Sequence, residues 1–212
     1  VNPRRRFLRK AARSFSAGAG LVLGVFGLAQ ASDPQPASVA ASLNLTDVAV
    51  GRQAEGNWIL RGNVNVSLSL VLVAAIERGV TLQFESIFRA QRSRWYWFAE
   101  TVYEQRRVGR LTFHPITRLF RVRLDGSPPR TFADLTEALR HCLVVRGWQV
   151  ASAEQDLLGL DLSLRLRLDK SALPKSLQIA AFASDDWDLT TGWVPVVYDP
   201  AFMPPASPTE SL

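Results

Sequence analysis

Apolar residues recur at every second position along several stretches of the chain. Trp58, Leu60, Gly62, Val64, Val66 and Leu68 alternate with Ile59, Arg61, Asn63, Asn65 and Ser67, the period of a long strand with one buried face. Leu158, Leu160, Leu162, Leu164, Leu166 and Leu168 repeat the pattern against Asp161, Ser163, Arg165 and Arg167, which predicts a second long strand with one wet side. Partial alternation predicts a first strand through Leu43, Leu45, Val48 and Val50, and another through Val80, Leu82, Phe84 and Phe88. Trp95 to Val102 reads as an aromatic strand buried on both sides, because Trp95 and Trp97 share one face and Tyr96 and Phe98 the other. Two shorter strands, Leu111 to Phe113 and Phe120 to Leu124, are parted by His114-Pro115-Ile116-Thr117, and Trp187 to Trp193 reads as a closing strand.

Helical spacing takes over twice. Leu70 to Arg78 carries it and stops at Gly79, the residue type expected just past a helix end. A second helix opens in Thr131 to Glu137, with Thr131 and Asp134 as capping candidates and Glu137 three residues after Asp134, the spacing of a capping box. Leu135, Ala138, Leu139 and Leu143 line one of its faces and Gly147 ends it. Asp125 to Pro129 is a turn, and Leu173 to Phe182 is a short irregular or helical piece. About eight strands and two helices joined by hairpin-scale connections predict a single antiparallel, β-rich α+β domain over residues 39–198, either a sandwich or a curved sheet covered by helices.

The residues before that domain carry a different signal. Arg4, Arg5, Arg6, Arg9, Lys10 and Arg13 form a basic region, Ala17 to Leu28 a short apolar one, and Ala29-Gln30-Ala31 a small-x-small cleavage pattern. Residues 1–31 therefore read as a cleaved signal peptide and 32–38 as a Pro-bearing linker, so the product is expected in the periplasm. Arg4-Arg5-Arg6-Phe7-Leu8-Arg9 matches the twin-arginine pattern R-R-x-F-L-K with a final Arg for Lys. Pro3 stands where Ser or Thr is usual, which favours the general secretory (Sec) route over Tat. No stretch of the mature chain reaches the roughly 18 apolar residues of a membrane span. The Pro/Ser-rich residues 199–212 read as a disordered tail.

Charge changes the picture once the signal is set aside. The chain holds 25 Lys and Arg and 19 Asp and Glu; without the six cations of the signal the two counts are equal. The high isoelectric point therefore belongs to the targeting segment and argues against nucleic acid as a partner. Inside the mature chain the charge is polarised. Residues 86–130 contain ten Arg, no Lys, and only Glu100, Glu104 and Asp125 as acids. Arg forks bind carboxylate and phosphate bidentately, so Arg92, Arg94, Arg107, Arg110, Arg118, Arg121 and Arg123 form a candidate surface for an anionic partner. Arg121 and Arg123 share one strand face while Phe120, Val122 and Leu124 take the other.

Several segments together resemble a known family. They are Ala75-Ile76-Glu77-Arg78-Gly79-Val80, Arg94-Trp95-Tyr96-Trp97, Leu111 to Arg118, and Arg165 to Asp169 followed by Leu173-Pro174-Lys175, with Gln178 and Asp186-Trp187. In this order, over about residues 40–195, they resemble the exported proteobacterial "proline-rich signal peptide protein" family, domain of unknown function 4390. The resemblance implies export, no established activity, and a gene neighbourhood shared with a membrane histidine kinase. It brings no catalytic residues with it.

The residues themselves offer little conventional chemistry. Cys142 is the one cysteine, so no disulfide or CxxC site forms within the chain. His141 and Cys142 are helix neighbours whose side chains point apart. His114 has no evident nucleophile beside it, and Asp185, Asp186 and Asp188 lack the ligand spacing of a cation loop. No GxSxG, Walker, GxGxxG or HExxH motif occurs. The expectation is a periplasmic, non-enzymatic binding protein without cofactor or metal, whose partner is an inner-membrane protein, such as a sensor kinase, or an anionic lipid. The alternative is a carrier or chaperone for a lipid-like ligand, with the leucine strand and the Trp58 strand lining a cavity.

Overall fold

The computed structural model describes residues 41–93 and 99–201. The chain runs β1 (Ser42–Arg52), β2 (Trp58–Ser67), α1 (Leu70–Glu77), β3 (Leu82–Arg92), β4 (Glu100–His114), β5 (Leu119–Leu124) and β6 (Arg130–Phe132). It continues through α2 (Leu135–Cys142), β7 (Trp148–Ala151), β8 (Asp161–Leu168), α3 (Lys175–Ala183), β9 (Val194–Pro195) and β10 (Val197–Tyr198). Four strands form one sheet in the order β10-β1-β2-β7, and six form the other in the order β6-β5-β4-β3-β8-β9. Pairing is antiparallel throughout except between β1 and β10. The predicted β-rich α+β class is the observed one.

A single hydrophobic core takes residues from both sheets. Val50, Trp58 and Leu60 come from the smaller sheet, and Phe84, Phe88, Leu111, Val122, Leu164 and Leu166 from the larger. The leucine ladder is the core-facing side of β8: Leu162, Leu164, Leu166 and Leu168 are all at most 8 % exposed. These leucines fill the core, as Trp58 does, so they do not line an open lipid cavity. Along one side the sheets are joined by the segment Val194–Tyr198, which pairs with β8 through β9 and with β1 through β10. Between those two strands Val196 is buried and donates its N–H to Leu162 O at 2.9 Å.

Local chemistry accounts for the helix ends. Ser69 caps α1 by accepting the Leu72 N–H at 3.2 Å, and Gly79 beyond it adopts φ +84°, which suits a residue without Cβ. Asp134 caps α2 by accepting the Glu137 N–H at 2.9 Å. Thr131, the other capping candidate, lies in β6. Gly147 does not end α2, which stops at Cys142; it adopts φ +77° in the turn entering β7.

Other expectations are corrected. The segment expected as the end of one strand and the start of another is the single strand β4, whose polar middle pairs with β3 without a break in the sheet. Strand β7 and edge strand β6 carried too few alternations to be read. Strand β8 begins at Asp161, after Gly159 at φ +74°, and Leu158 is exposed. Trp187 ends a 3-10 turn, Asp185–Trp187, so the closing strand reduces to β9. The first residue of the expected tail belongs to the fold, because Asp199 pairs with Arg61 at 2.7 Å and donates its N–H to Val50 O. The signal peptide, the linker, Trp95 to Trp97 and residues 202–212 of the tail lie outside the described residues. Among the described residues, no helix is long and apolar enough to cross a membrane.

Gly109 in β4 sets how closely α2 approaches the larger sheet. A Cβ there would lie 2.8 Å from Cys142 Sγ and 2.9 Å from the Cys142 carbonyl oxygen. The carbonyl cannot rotate away, so an added methyl must push the helix end off the sheet. Gly109→Ala is expected to destabilise the fold by about 1–3 kcal/mol, read as a lower urea midpoint; an unchanged midpoint would show that the helix end yields freely.

Candidate anion-binding face

Alternation along β4 puts Arg110, Thr112 and His114 on the face turned away from the core, while Gly109, Leu111 and Phe113 point inward. Strand β5 presents Arg121 and Arg123 on the same outer face, with Phe120, Val122 and Leu124 inward. The register places Arg110 directly opposite Arg123, and Thr112 opposite Arg121. Thr81, just before β3, completes the group through a 2.9 Å hydroxyl–hydroxyl hydrogen bond to Thr112. Thr81, Arg110, Thr112, His114, Arg121 and Arg123 line a recess of about 270 Å³.

Like charges facing each other across a strand pair are unfavourable unless something of opposite sign intervenes. Arg110 is partly engaged: its Nε donates to Gln83 Oε1 at 2.9 Å, and its guanidinium reaches the Asp125 carboxylate at 4.0 Å. Arg121 and Arg123 make no side-chain hydrogen bond or ion pair among the described residues. Three guanidiniums, two hydroxyls and an imidazole thus converge on one recess lined by no carboxylate.

The centre of the same face is arranged in the opposite way. Glu85, buried between β4 and β8, accepts from Arg106 at 3.3 Å and from Arg167 at 2.6 Å. Glu104 takes both Nε and a terminal nitrogen of Arg89, at 3.0 and 2.8 Å, and lies 3.7 Å from Arg106. The guanidiniums of Arg89 and Arg165 stand 4.1 and 4.5 Å from the Trp193 ring centre, a cation–π arrangement. Burial, followed by the positive charges of Arg167 and Arg89, lowers the Arg165 pKa. Positive charge at the β3–β4–β8 centre is therefore matched by carboxylates and an aromatic face, and the unmatched charge lies at the β4–β5 end.

The structure divides the seven Arg of the candidate surface. Arg110, Arg121 and Arg123 come together. Arg118 lies in the β4–β5 turn at φ +55°, exposed but outside the recess, and Arg92 ends β3 opposite Glu100. Arg94 lies outside the described residues. Arg107 is a correction. It faces the core side, opposite buried Ser86, with its guanidinium 4.6 Å from the Trp148 ring centre and donating to the Val144 carbonyl. The reason is parity: adjacent residues of a strand point to opposite faces, so Arg106 and Arg107 cannot both join the outer surface. Burial lowers the Arg107 pKa to about 10 and raises that of Cys142 to about 12.

Sequence reasoning missed Thr81, Thr112 and His114 as members of the site. Counting twos from Arg110 along β4 reaches Thr112 and His114, but only a continuous strand licenses that count. Nothing in the sequence placed Trp193 between Arg89 and Arg165. Asp188 of the acidic cluster pairs with Lys170, and Asp186 accepts the Ser184 hydroxyl at 3.0 Å.

Comparison with family models matches residues 40–196 to the family described as domain of unknown function (DUF4390). The chain belongs to the DUF4390 family. Searches of curated proteins and of solved structures return no match. The match runs from just before β1 to the link between β9 and β10, so both the recess and the Glu85 network lie in the DUF4390 region.

Two expectations follow for this DUF4390 chain. Glu85→Gln removes the carboxylate charge that Arg106 and Arg167 share. Charge-assisted hydrogen bonds of this kind contribute about 1.5–3 kcal/mol when shielded, and the two guanidiniums are 51 % and 40 % exposed. A loss of about 1–2 kcal/mol in urea unfolding is expected, and no loss would mean that water replaces the carboxylate without cost. The second concerns His141, whose pKa is lowered by burial first and then by Arg130 and Arg107. The fold therefore favours neutral imidazole. Its contribution is complete above the unfolded value near 6.5 and is lost as pH falls from there toward the folded value. The melting temperature of the parent should drop more steeply between about pH 7 and 5 than that of His141→Gln; parallel profiles would contradict this.

Proposed function

We propose that this DUF4390 chain acts by binding, and that Arg110, Arg121 and Arg123 receive an anionic surface group of an inner-membrane protein. The observation that carries the reading is the direct opposition of Arg110 and Arg123 beside Arg121, with no carboxylate lining the recess. Each guanidinium carries paired N–H groups whose fork matches carboxylate or phosphate. With the export expected from the sequence, such an encounter would occur at the periplasmic face of the membrane. A protein partner suits an open strand pair whose backbone register sets the spacing of the three arginines before contact. No catalytic step is assigned: the Thr81 and Thr112 hydroxyls bond each other, and His114 is not hydrogen-bonded to either.

A photo-crosslinking residue at Thr131, exposed on β6 opposite Arg121, would report the partner in cells. One dominant membrane-protein adduct is expected, falling roughly tenfold or more when Arg121 and Arg123 are both replaced by Glu. The replaced protein should melt as the parent does. Adducts to lipid alone, or a protein adduct indifferent to the charge reversal, would refute the reading.

A further inference from the structure

Strand β4 is paired by β3 from Glu100 to Leu111, with a register shift at Val102, but β5 covers its other edge only from Gly109 to His114. At Val108 the ladder ends in a clasp: Val108 N–H donates to the Asp125 carboxylate and Asp125 N–H to Val108 O, both at 3.0 Å. In an antiparallel ladder the main-chain groups of every second residue point to the same neighbour. Arg106 and Glu104 therefore direct their N–H and C=O groups past the clasp, where no strand pairs with them among the described residues.

This open edge faces another. Strand β7 ends the smaller sheet and pairs only with β2. Two depressions lie between β4 and β7. One, of about 380 Å³, is lined by Gln105, Arg106, Arg107, Trp148 and Gln149 among others. The second, of about 240 Å³, is lined by Tyr103, Gln105, Gln149 and Val150 among others. They share Gln105 and Gln149, so together they make one trough along the open side of the sandwich. The opposite side is closed by β9 and β10.

We propose that β4 receives an extended segment of a partner protein as an added strand in this trough, with an Asp or Glu of that segment paired to Arg107. Main-chain groups of Glu104 and Arg106 would hold such a segment in register, as in β-strand addition generally. Arg107 supplies the selectivity. It lines the trough, its one bonded acceptor is the neutral Val144 carbonyl, and it has no ion pair among the described residues. Burial lowers the Arg107 pKa, and Cys142 and Asp125, the latter lining the same depression without an ion pair to Arg107, offset this only in part. A charge directed inward beside an open edge repels an apolar strand, and the same charge attracts an acidic one. Gln105 and Gln149 flank it with donors and acceptors that suit a polar segment. This site is independent of the Arg110–Arg121–Arg123 recess, since it uses the edge of β4 and the opposite face of the strand.

The test is selection from a phage-displayed library of randomised eight-residue peptides on the purified chain, followed by binding of a synthetic selected peptide. Selected sequences are expected to carry Asp or Glu at one fixed position, a preference lost on Arg107→Gln. Peptide binding should slow amide exchange at Glu104 and Arg106. Glu104→Pro removes one edge N–H without touching the ladder to β3, and should weaken binding roughly tenfold or more. Glu104→Ala keeps the N–H and should weaken it less than about threefold. If Glu104→Pro fails to fold, the selected peptide N-methylated at its edge-facing residues asks the same question of the unaltered protein. Failure to select any peptide, or binding unaffected by N-methylation or by the proline, overturns the proposal. Concentration-dependent protection of the same amides without peptide also overturns it, by assigning the edge to a second copy of this chain.

Discussion

The register between β3 and β4 is the constraint on which the core, the charged face and the open edge all depend. Phe84 faces Gly109, Ser86 faces Arg107 and Phe88 faces Gln105. A slip by one residue would turn Arg110 and Thr112 into the core and put Leu111 in water. It would also remove the one position on β4 where the Cys142 end of α2 can touch the sheet without a Cβ in the way. The helix contact therefore reports on the same register as the arginine recess. Neither can be altered without the other.

Within that register, charge is sorted by neighbours rather than by sequence. Glu85 has Arg106 on one side and Arg167 on the other, contributed by strands β4 and β8 from distant parts of the chain. A buried carboxylate without such partners would be costly, so the central part of the face uses its cations to hold Glu85 and Glu104. Cations on β5 have no acidic strand beside them, because their outer neighbour is β6, which carries Arg130 and Thr131. The uncompensated charge at the β4–β5 end thus follows from strand order. Sequence counting found the excess of Arg but could not say which of them would be matched.

Legibility of the fold follows the same division. Strands β2 and β8 were readable because one face is apolar at every second position, and α1 because its spacing and Gly79 agree. Strand β4 was not, because Gln105 and Arg107 occupy its inner face and erase the alternation that marks a half-buried strand. The Arg106-Arg107 pair nonetheless contained usable information. In any strand one of two adjacent residues must face inward, so a surface drawn through every Arg of the segment had to lose some members. Trp193 shows the opposite limit. Its place between Arg89 and Arg165 depends on β3 and β8 being neighbours, which no local pattern encodes.

With one edge taken by β3, strand β4 keeps two faces and a second edge for contact, and it uses them differently at its two ends. Toward His114 its second edge is closed by β5, so interaction there is left to outward side chains, which are basic. Toward Tyr103 the edge is open and the outward side chains are neutralised by Glu85 and Glu104, so the main chain is the remaining point of attachment. The change occurs at Val108, where Asp125 takes the place of a β5 residue and Gly126, at φ +77°, turns the chain away. Had β5 continued as a strand past Asp125, it would have covered Arg106 and Glu104 and left no open ladder. The length of β5 relative to β4 is therefore what separates a surface read through charge from one read through backbone geometry.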